Sequence, residues 1–173
     1  YRSLLADYLF HARGDHDELV RLYQLAESYY ESDLVVTGDE QERWEIEHLD
    51  WAGIRQVRRR NYQYLLSLIE EIPAITPVFP VLPPEVMPMG LPVYVPRELR
   101  DGLFDALGEA GIGLTIHWDA IPGDPRLNGD EQAVDMASRM LTLVIDQRTS
   151  LRQMDYMAQK IRIALAGLGD RAG

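Results

Sequence analysis

The chain has 173 residues, of which 46% are hydrophobic, and its 28 acidic and 17 basic residues give a formal net charge of −11. This charge repels polyanions and argues against nucleic acid or an anionic membrane as a partner. The sequence has no cysteine, which excludes disulfides, thiolate metal sites and cysteine nucleophiles. No stretch has the apolar run of a membrane span or the pattern of a signal peptide, and we expect a cytoplasmic protein.

We predict that residues 1–72 form a helical segment that connects to another domain. Asp15 and Glu18 resemble a capping box and predict a helix to about Tyr30. The stretch from Val35 to Glu42 is interpreted as an acidic loop. Helical spacing is already present at the first residues, so we interpret the sequence as a fragment cut from a longer chain. The residues with this spacing are Leu4, Leu5, Tyr8 and Leu9.

A long helix is predicted between Asp50 and Pro73. Pro73 ends it because proline cannot donate the backbone hydrogen bond that a helix interior needs. The apolar stripe of this helix consists of Ile54, Val57, Asn61, Tyr64, Leu65 and Leu68. Three consecutive arginines, Arg58 to Arg60, point in different directions around the helix. We therefore expect a solvated face or interdomain salt bridges there and no nucleic-acid site.

Eight of the ten prolines lie between Pro73 and Pro96. Prolines this closely spaced exclude a helix and favour extended chain, so we expect a linker that crosses between layers of the fold. The alternative is a ligand for a proline-binding module. Leu91 to Val95 is predicted to form a strand at a sheet edge, where proline is tolerated.

Residues 73–173 predict a small α/β domain. Helical patterns begin at Pro96, Asp130 and Ser150, and they alternate with the strands Leu91 to Val95, Ile112 to Trp118 and Leu141 to Ile145. Gly167 and Gly169 are expected to end the last helix. The order predicts an α/β (α+β) fold in which N-terminal helices precede a three- or four-stranded sheet that helices cover on one face.

Two of these strands end in side chains that can bind a ligand. The first ends in His117 and Trp118, and the second runs into Asp146, Gln147 and Arg148. If the strands are neighbours, these groups lie at nearby edges of one sheet, where open α/β sheets bind ligands.

Each of these residues also has a structural interpretation. His117 can cap a strand and Trp118 can cover the core. Arg148 can form an ion pair with Asp146 or Asp155.

The same segments resemble a known family. Gly111 to Trp118 (GIGLTIHW), Ser138 to Arg148 (SRMLTLVIDQR) and the following Gln153-Met154 are similar to the C-terminal part of DegT/StrS-type aminotransferases. Many relatives read "ERGI...HW" and "LSLPIDQRY..EDM" there, and this chain departs at Val144, where they have proline, and at Thr149. Upstream, LDW and RRRNY resemble the family's "iD...i...RR.NY..L" helix. The similarity therefore runs from near residue 49 to the end of the chain.

The resemblance implies a fold-type I enzyme that uses pyridoxal phosphate. In such an enzyme the aldimine lysine, the acid facing the pyridine nitrogen and most of the phosphate site lie in a large domain that this sequence lacks, so the fragment alone is expected to be inactive. The intact enzyme would transfer an amino group from a donor such as glutamate to a keto group, often on a nucleotide-linked sugar, and would work as a homodimer. Some relatives catalyse dehydration instead.

The role that the resemblance implies for this fragment is recognition of a small-molecule substrate. His117, Trp118 and Arg148 are the first candidates for substrate contacts. Arg139 is a looser one, because it precedes the third strand near the place where aspartate-type aminotransferases hold a carboxylate-binding arginine.

Other candidates are weaker. Lys160, the one lysine in the sequence, falls in the last helix and is interpreted as a solvated residue. His11, His16 and Asp17 have the residue types of a metal site without a second cluster, and we expect no metal. The rival hypothesis is a non-catalytic α/β module that binds a small ligand or a protein partner.

Overall fold

A computed structural model describes residues 13–29, 38–127 and 130–172. The helical spacing at residues 4–9 and the candidate ligand His11 lie outside these residues. The contacts divide the chain into two compact units, residues 1–49 and 50–173. No helix in the described ranges is both long and apolar enough to span a membrane.

The first unit contains helices α1 (His16–Ser28) and α2 (Glu40–Glu47). The predicted start of α1 is confirmed, because the Asp15 side chain accepts hydrogen bonds from the backbone N–H groups of Asp17 and Glu18. The predicted acidic loop is wrong from Glu40 onward. Asp39 caps α2 by accepting from the Glu42 N–H at 2.7 Å, and acidic residues in a first helical turn interact favourably with the helix dipole.

The second unit contains the sheet and the longer helices. In chain order its elements are α3 (Trp51–Ile69), β1 (Thr76–Pro77), β2 (Gly90–Tyr94), α4 (Arg97–Glu109), α5 (Glu131–Arg139), β3 (Met140–Val144) and α6 (Leu151–Ala172). Two 3-10 turns, Ile121–Gly123 and Pro125–Leu127, precede α5. The predicted capping box of α6 is confirmed, since the Ser150 N–H donates to Gln153 Oε1 at 2.8 Å and the Gln153 N–H to Ser150 Oγ at 3.4 Å.

The sheet is antiparallel, with the strand order β1-β2-β3. Beyond β3, Thr115 forms an isolated antiparallel bridge with Thr142. The predicted sheet of three or four strands is thus confirmed, but the predicted strand from Ile112 to Trp118 is reduced to this one bridge. Gly113 weakens strand pairing on one side of Thr115, and the backbone turns into the left-handed region at Trp118 on the other.

Helices α3, α4 and α6 cover one face of the sheet, as predicted. Leu91 and Val93 of β2 pair with Leu143 and Leu141 of β3, and all four are fully buried. They pack in one core with residues of the three helices, including Tyr62, Leu65, Leu103, Leu107, Met154 and Ile161. The other face carries the alternate positions, such as Pro92, Tyr94 and Thr142, which are half-buried.

The predicted edge position of β2 is wrong, because β2 lies between β1 and β3. Thr142 exchanges its backbone hydrogen bonds with Thr115, so its partner Pro92 directs its own backbone groups away from β3. The Pro92 carbonyl accepts from the Val78 N–H at 3.0 Å. Pro92 is therefore tolerated inside the sheet because β3 requires no N–H from it.

Helix α6 continues through Gly167 and Gly169 to Ala172, so the prediction that these glycines end it is wrong. Its apolar face is long, and near its end Leu168 packs closely on Gly102 of α4. A Cβ at Gly102 would lie 2.8 Å from Leu168 Cδ2. Packing of this kind outweighs the cost of about 1 kcal/mol that a glycine adds to a helix interior.

Helix α3 shares its core with the sheet. Its fully buried positions are Asn61, Tyr62, Leu65 and Ile69, so the buried stripe is rotated from the predicted one and includes Tyr62 and Ile69. The predicted boundary between residues 72 and 73 stays a prediction for the whole protein.

Asn61 holds the turn that follows β3. Its side-chain amide donates to the carbonyl oxygens of Ile145, Asp146 and Thr149 at 3.4, 3.0 and 2.7 Å. Its own side chain is fully buried. One amide group thus satisfies three backbone acceptors that lie more than eighty positions away in the sequence.

We expect Asn61→Asp to lower the free energy of unfolding by about 2 to 3 kcal/mol, because a carboxylate keeps the shape of the amide but cannot donate to buried carbonyls. Urea denaturation of the purified protein measures this. Gln63→Ala, two residues along the same helix and exposed, is the control and is expected to change unfolding by less than about 0.5 kcal/mol. Equal effects of the two substitutions would contradict the role given to Asn61.

Candidate functional site

The open face of the sheet forms the floor of an apolar groove of about 560 Å³. The floor includes Gly90, Pro92 and Thr142, and the walls come from residues 78–79 and 86–89 and from His117, Trp118 and Met136. Glycine is required at position 90, since a Cβ there would lie 2.2 Å from Thr142 Cγ2 and 3.2 Å from the Leu143 carbonyl oxygen.

Most of the side chains that line the groove are apolar. The described residues that line it include no Lys, Arg, Asp or Glu, and its hydrogen-bonding side chains are those of Tyr62, His117, Trp118 and Thr142. The Tyr62 hydroxyl donates its hydrogen bond to the Phe79 carbonyl at 2.6 Å. Burial raises the pKa of Tyr62. A groove of this kind suits a neutral ligand part with apolar surface better than a phosphate or a carboxylate.

Trp118 is presented to the groove by an unusual backbone conformation. Its φ is 60°, a left-handed value that costs a residue with a side chain on the order of 1 kcal/mol or more. The Ile121 N–H donates to the Trp118 carbonyl at 2.9 Å and closes this turn. The indole remains 59% exposed and lies 5.7 Å from the His117 ring, centroid to centroid. The two aromatic rings are therefore neighbours in the groove lining, with Trp118 exposed and His117 half-buried.

Arg100 fixes the turn after Trp118, and sequence reasoning missed it. It is buried, and its guanidinium donates to Asp101 at 2.8 Å, to the Ala137 carbonyl at 3.0 Å and to Asp119 at 3.3 Å. It thereby connects α4, the end of α5 and the loop that follows the aromatic pair. The signal was present in the sequence, because Arg100 has helical spacing with the buried Leu103 and Leu107.

Arg148 lies outside the groove lining and is held by Asp146. Its Nε and Nη2 donate to Asp146 Oδ2 at 3.0 and 2.5 Å, and its backbone N–H donates to Oδ1 at 2.9 Å. Burial opposes ionisation of Asp146, but the hydrogen bonds from Arg148 and from Thr149 outweigh it and hold the pKa of Asp146 below its usual value. This is the ion pair that the structural interpretation of Arg148 anticipated.

Arg139 is also engaged outside the groove lining. It pairs with Asp135 at 3.1 Å, and its guanidinium carbon lies 5.5 Å from the centre of the Tyr94 ring. Tyr94 is on the open face of the sheet, so Arg139 borders that face without lining the groove.

The structure brings His117 and Trp118 together but separates them from the run Asp146 to Arg148. The two segments bridge in antiparallel fashion at Thr115 and Thr142. Residues that follow Thr115 therefore approach the start of β3, whereas Asp146 to Arg148 follow its end. The expectation that all five groups lie at nearby edges of the sheet is wrong, because it holds only if the two segments run parallel.

The remaining candidates lie elsewhere. Lys160 is on α6, which packs on the covered face of the sheet, and its Nζ lies 5.3 Å from the centre of the Tyr156 ring. No group of three or more His, Cys, Asp or Glu side chains that could hold a metal ion occurs among the described residues. Arg58 and Arg59 correct the expectation of a solvated face or salt bridges, since both donate to backbone carbonyls within this unit.

No protein-family model and no curated protein sequence matches the chain. Solved structures do match. The apo form of Spr1654 from Streptococcus pneumoniae, assigned as a sugar aminotransferase, aligns with a TM-score of 0.58 and 17% identity over 70% of this chain and 33% of its own. The aminotransferase TlmJ from Streptoalloteichus hindustanus aligns with a TM-score of 0.50 and 16% identity over 66% of this chain and 32% of its own.

An Escherichia coli GDP-4-keto-6-deoxy-D-mannose-3-dehydratase, solved with bound hydrated PLP, aligns with a TM-score of 0.53 and 16% identity over 64% of this chain and 31% of its own. The chain thus spans about a third of the length of each of these three structures. It has the fold of one part of these enzymes, and the predicted fold class is confirmed.

The Asp146–Arg148 pair makes a pH-dependent prediction. Because the folded-state pKa of Asp146 is lowered, its contribution to stability is complete above the unfolded pKa of about 3.9 and is lost as the pH falls through the folded value. We expect Asp146→Asn to unfold at lower urea concentration than the wild type at pH 7, and the difference to shrink below about pH 4. Urea midpoints of both proteins between pH 7 and pH 3 test this.

The control is Asp135→Asn, which removes an exposed i,i+4 partner of Arg139 and is expected to change stability by less than about 0.5 kcal/mol. A difference between Asp146→Asn and wild type that stays constant down to pH 3 would contradict the assignment.

Proposed function

We propose that this chain is the small-domain portion of a DegT/StrS-like aminotransferase that uses pyridoxal phosphate. The intact enzyme moves an amino group from an amino-acid donor to a keto group, with a nucleotide-linked sugar as the acceptor class. The observation that carries this proposal is the shared fold with about a third of two aminotransferases and of a keto-sugar dehydratase. The order of the family-like segments along the sequence supports it independently.

The described residues of this chain offer neither a lysine nor a cationic phosphate cradle in the groove. Lys160 is on the covered side of the sheet, near Tyr156. Structures of Spr1654 include PMP and PLP forms, in chains about three times as long as the matched portion. We therefore propose that a larger domain of the same protein holds the cofactor, and that two copies of the protein form a homodimer.

The part we assign to this chain is recognition of the neutral portion of the acceptor. His117 can donate or accept one hydrogen bond to a sugar hydroxyl, and the exposed Trp118 indole can pack on the apolar face of a sugar ring. The lack of Lys, Arg, Asp and Glu side chains among the described residues of the lining is consistent with a sugar ring there and with the phosphates bound outside. Substrate contacts by Arg148 and Arg139 stay predictions, since Asp146 and Asp135 hold their guanidinium groups.

The cofactor assignment is tested by the visible absorbance of the full-length protein before and after borohydride, followed by peptide mapping. We expect an absorbance band that borohydride bleaches, because reduction traps the cofactor on its lysine. The label is expected on a lysine outside residues 1–173. A label on Lys160, or a colourless protein that stays unlabelled with added pyridoxal phosphate, would refute the proposal. It would favour the rival hypothesis of a non-catalytic α/β binding module.

The acceptor assignment is tested with Trp118→Ala. We expect the KM for the keto-sugar acceptor to rise by about tenfold or more, because aromatic groups that cover a ligand often contribute over 1 kcal/mol to binding. The rate of the half-reaction with the amino donor is expected to stay unchanged. Trp44→Ala is the matched control, since Trp44 is similarly exposed, at 58%, and is not among the described residues that line the groove. Equal effects of the two substitutions on the acceptor KM would contradict the assignment of acceptor binding to the groove.

A further inference from the structure

The segment from Phe79 to Met89, here called the proline-rich segment, forms one wall of the groove through residues 86–89. It has no helix or strand of its own, and four of its eleven residues are proline and lack an N–H. A backbone hydrogen bond within the segment runs from the Val86 N–H to the Pro83 carbonyl at 3.2 Å. The segment therefore has little internal hydrogen bonding to order it, and contacts with other elements can fix its position.

Side chains of α3 supply the missing donors. Arg59 donates from Nη1 to the Pro83 and Val86 carbonyls, both at 2.6 Å, and from Nη2 to the Leu82 carbonyl at 3.4 Å. Arg55 donates to the Pro84 carbonyl. Arg58 reaches the Pro88 carbonyl at 3.5 Å. We call Arg55, Arg58 and Arg59 the arginine clamp.

The clamp follows from helical spacing. Its three positions and Tyr62 are separated by three and four residues, so they share one face of α3, and the Tyr62 hydroxyl holds the start of the segment at the Phe79 carbonyl. Arg58 also donates to Gln147 Oε1 at 2.8 Å, which connects the segment to the turn after β3. Within the described residues no carboxylate pairs with any of the three guanidinium groups, so their charges are directed at carbonyl oxygens.

Resting on the proposed function, we propose that Arg59, with Arg58 beside it, is a positioning residue for acceptor binding. It holds the proline-rich segment so that residues 86–89 keep the groove at the width that the acceptor requires. The planar guanidinium is needed because it reaches three carbonyls at once, whereas a lysine ammonium is a compact point charge. Arg59 does not touch the acceptor and acts through the wall that it holds.

The test measures two properties of the full-length protein in Arg59→Ala, Arg59→Lys and Arg58→Ala. The first is hydrogen-deuterium exchange of peptides that cover residues 81–90, and the second is the KM for the keto-sugar acceptor beside the rate of the amino-donor half-reaction. In Arg59→Ala we expect the backbone amides of this segment to exchange about tenfold faster and the acceptor KM to rise about tenfold. The donor half-reaction is expected to stay unchanged.

Arg59→Lys keeps the positive charge but removes the planar guanidinium. We expect its segment exchange and acceptor KM to match those of Arg59→Ala. Added guanidinium ion is expected to restore slow exchange and low acceptor KM in Arg59→Ala only. The control is Arg60→Ala, which removes the same charge from a neighbouring residue that donates to Asn61 Oδ1 and to no carbonyl of the segment. It is expected to leave both properties unchanged.

Three results would overturn the positioning role: unchanged exchange in Arg59→Ala, faster exchange with an unchanged acceptor KM, or full function in Arg59→Lys. If Arg59→Ala does not fold, the exchange of the segment and the acceptor KM are measured in Arg58→Ala, and the same results would overturn the positioning role. A wild-type protein without aminotransferase activity refutes the proposed function instead, and the exchange data then decide separately whether the clamp orders the segment.

Discussion

Backbone carbonyl groups that lack a backbone donor are the constraint on which this domain depends. A short antiparallel sheet joined by proline-containing segments leaves many of them, and each costs free energy if it is buried without a partner. Long polar side chains from the helices donate hydrogen bonds to these carbonyl groups. Asn61 holds the turn after β3, the arginine clamp holds the proline-rich segment, and Arg162 of α6 donates to the Leu68 carbonyl at the end of α3 at 2.5 Å.

This constraint explains why α3 belongs with the sheet. Its apolar positions, such as Leu65 and Ile69, pack in the common core, and its polar positions bind the loops at the rim of the sheet. One helix therefore fixes both the covered face and the border of the open face. The walls of the groove are loops, which would otherwise vary in position. Side chains of α3 that do not line the groove, such as Arg59, hold these loops in place.

Sequence reasoning predicted most helices and the general form of the sheet, because both follow from local patterns. The start of α3 at Asp50, the capping box at Ser150 and the apolar residues of Leu91 to Val95 and Leu141 to Ile145 are signals that neighbouring residues carry. Strand direction is not such a signal. The antiparallel bridge of Thr115 with Thr142 placed Arg148 away from His117, and no spacing in the sequence predicts that.

The candidate site was predictable in part for the same reason. His117 and Trp118 are adjacent in sequence, so their proximity required no knowledge of the fold. Arg59 could not be recognised, because its partners are carbonyl groups between 23 and 27 positions away, and a carbonyl group belongs to every residue type. A polar side chain that acts on distant backbone leaves little trace in composition or periodicity.

The distribution of charge connects the scaffold to the groove. The chain has a formal net charge of −11, yet several of its arginines are directed at neutral carbonyl groups and not at carboxylates. Arg148 and Arg139, the two arginines first considered as substrate contacts, form ion pairs with Asp146 and Asp135. The described lining of the groove contains no lysine or arginine, so we expect selectivity there to come from shape, from stacking on Trp118 and from the hydrogen bonds of His117 and Thr142. Since shape then carries much of the selectivity, the position of the wall at residues 86–89 has direct consequences for binding.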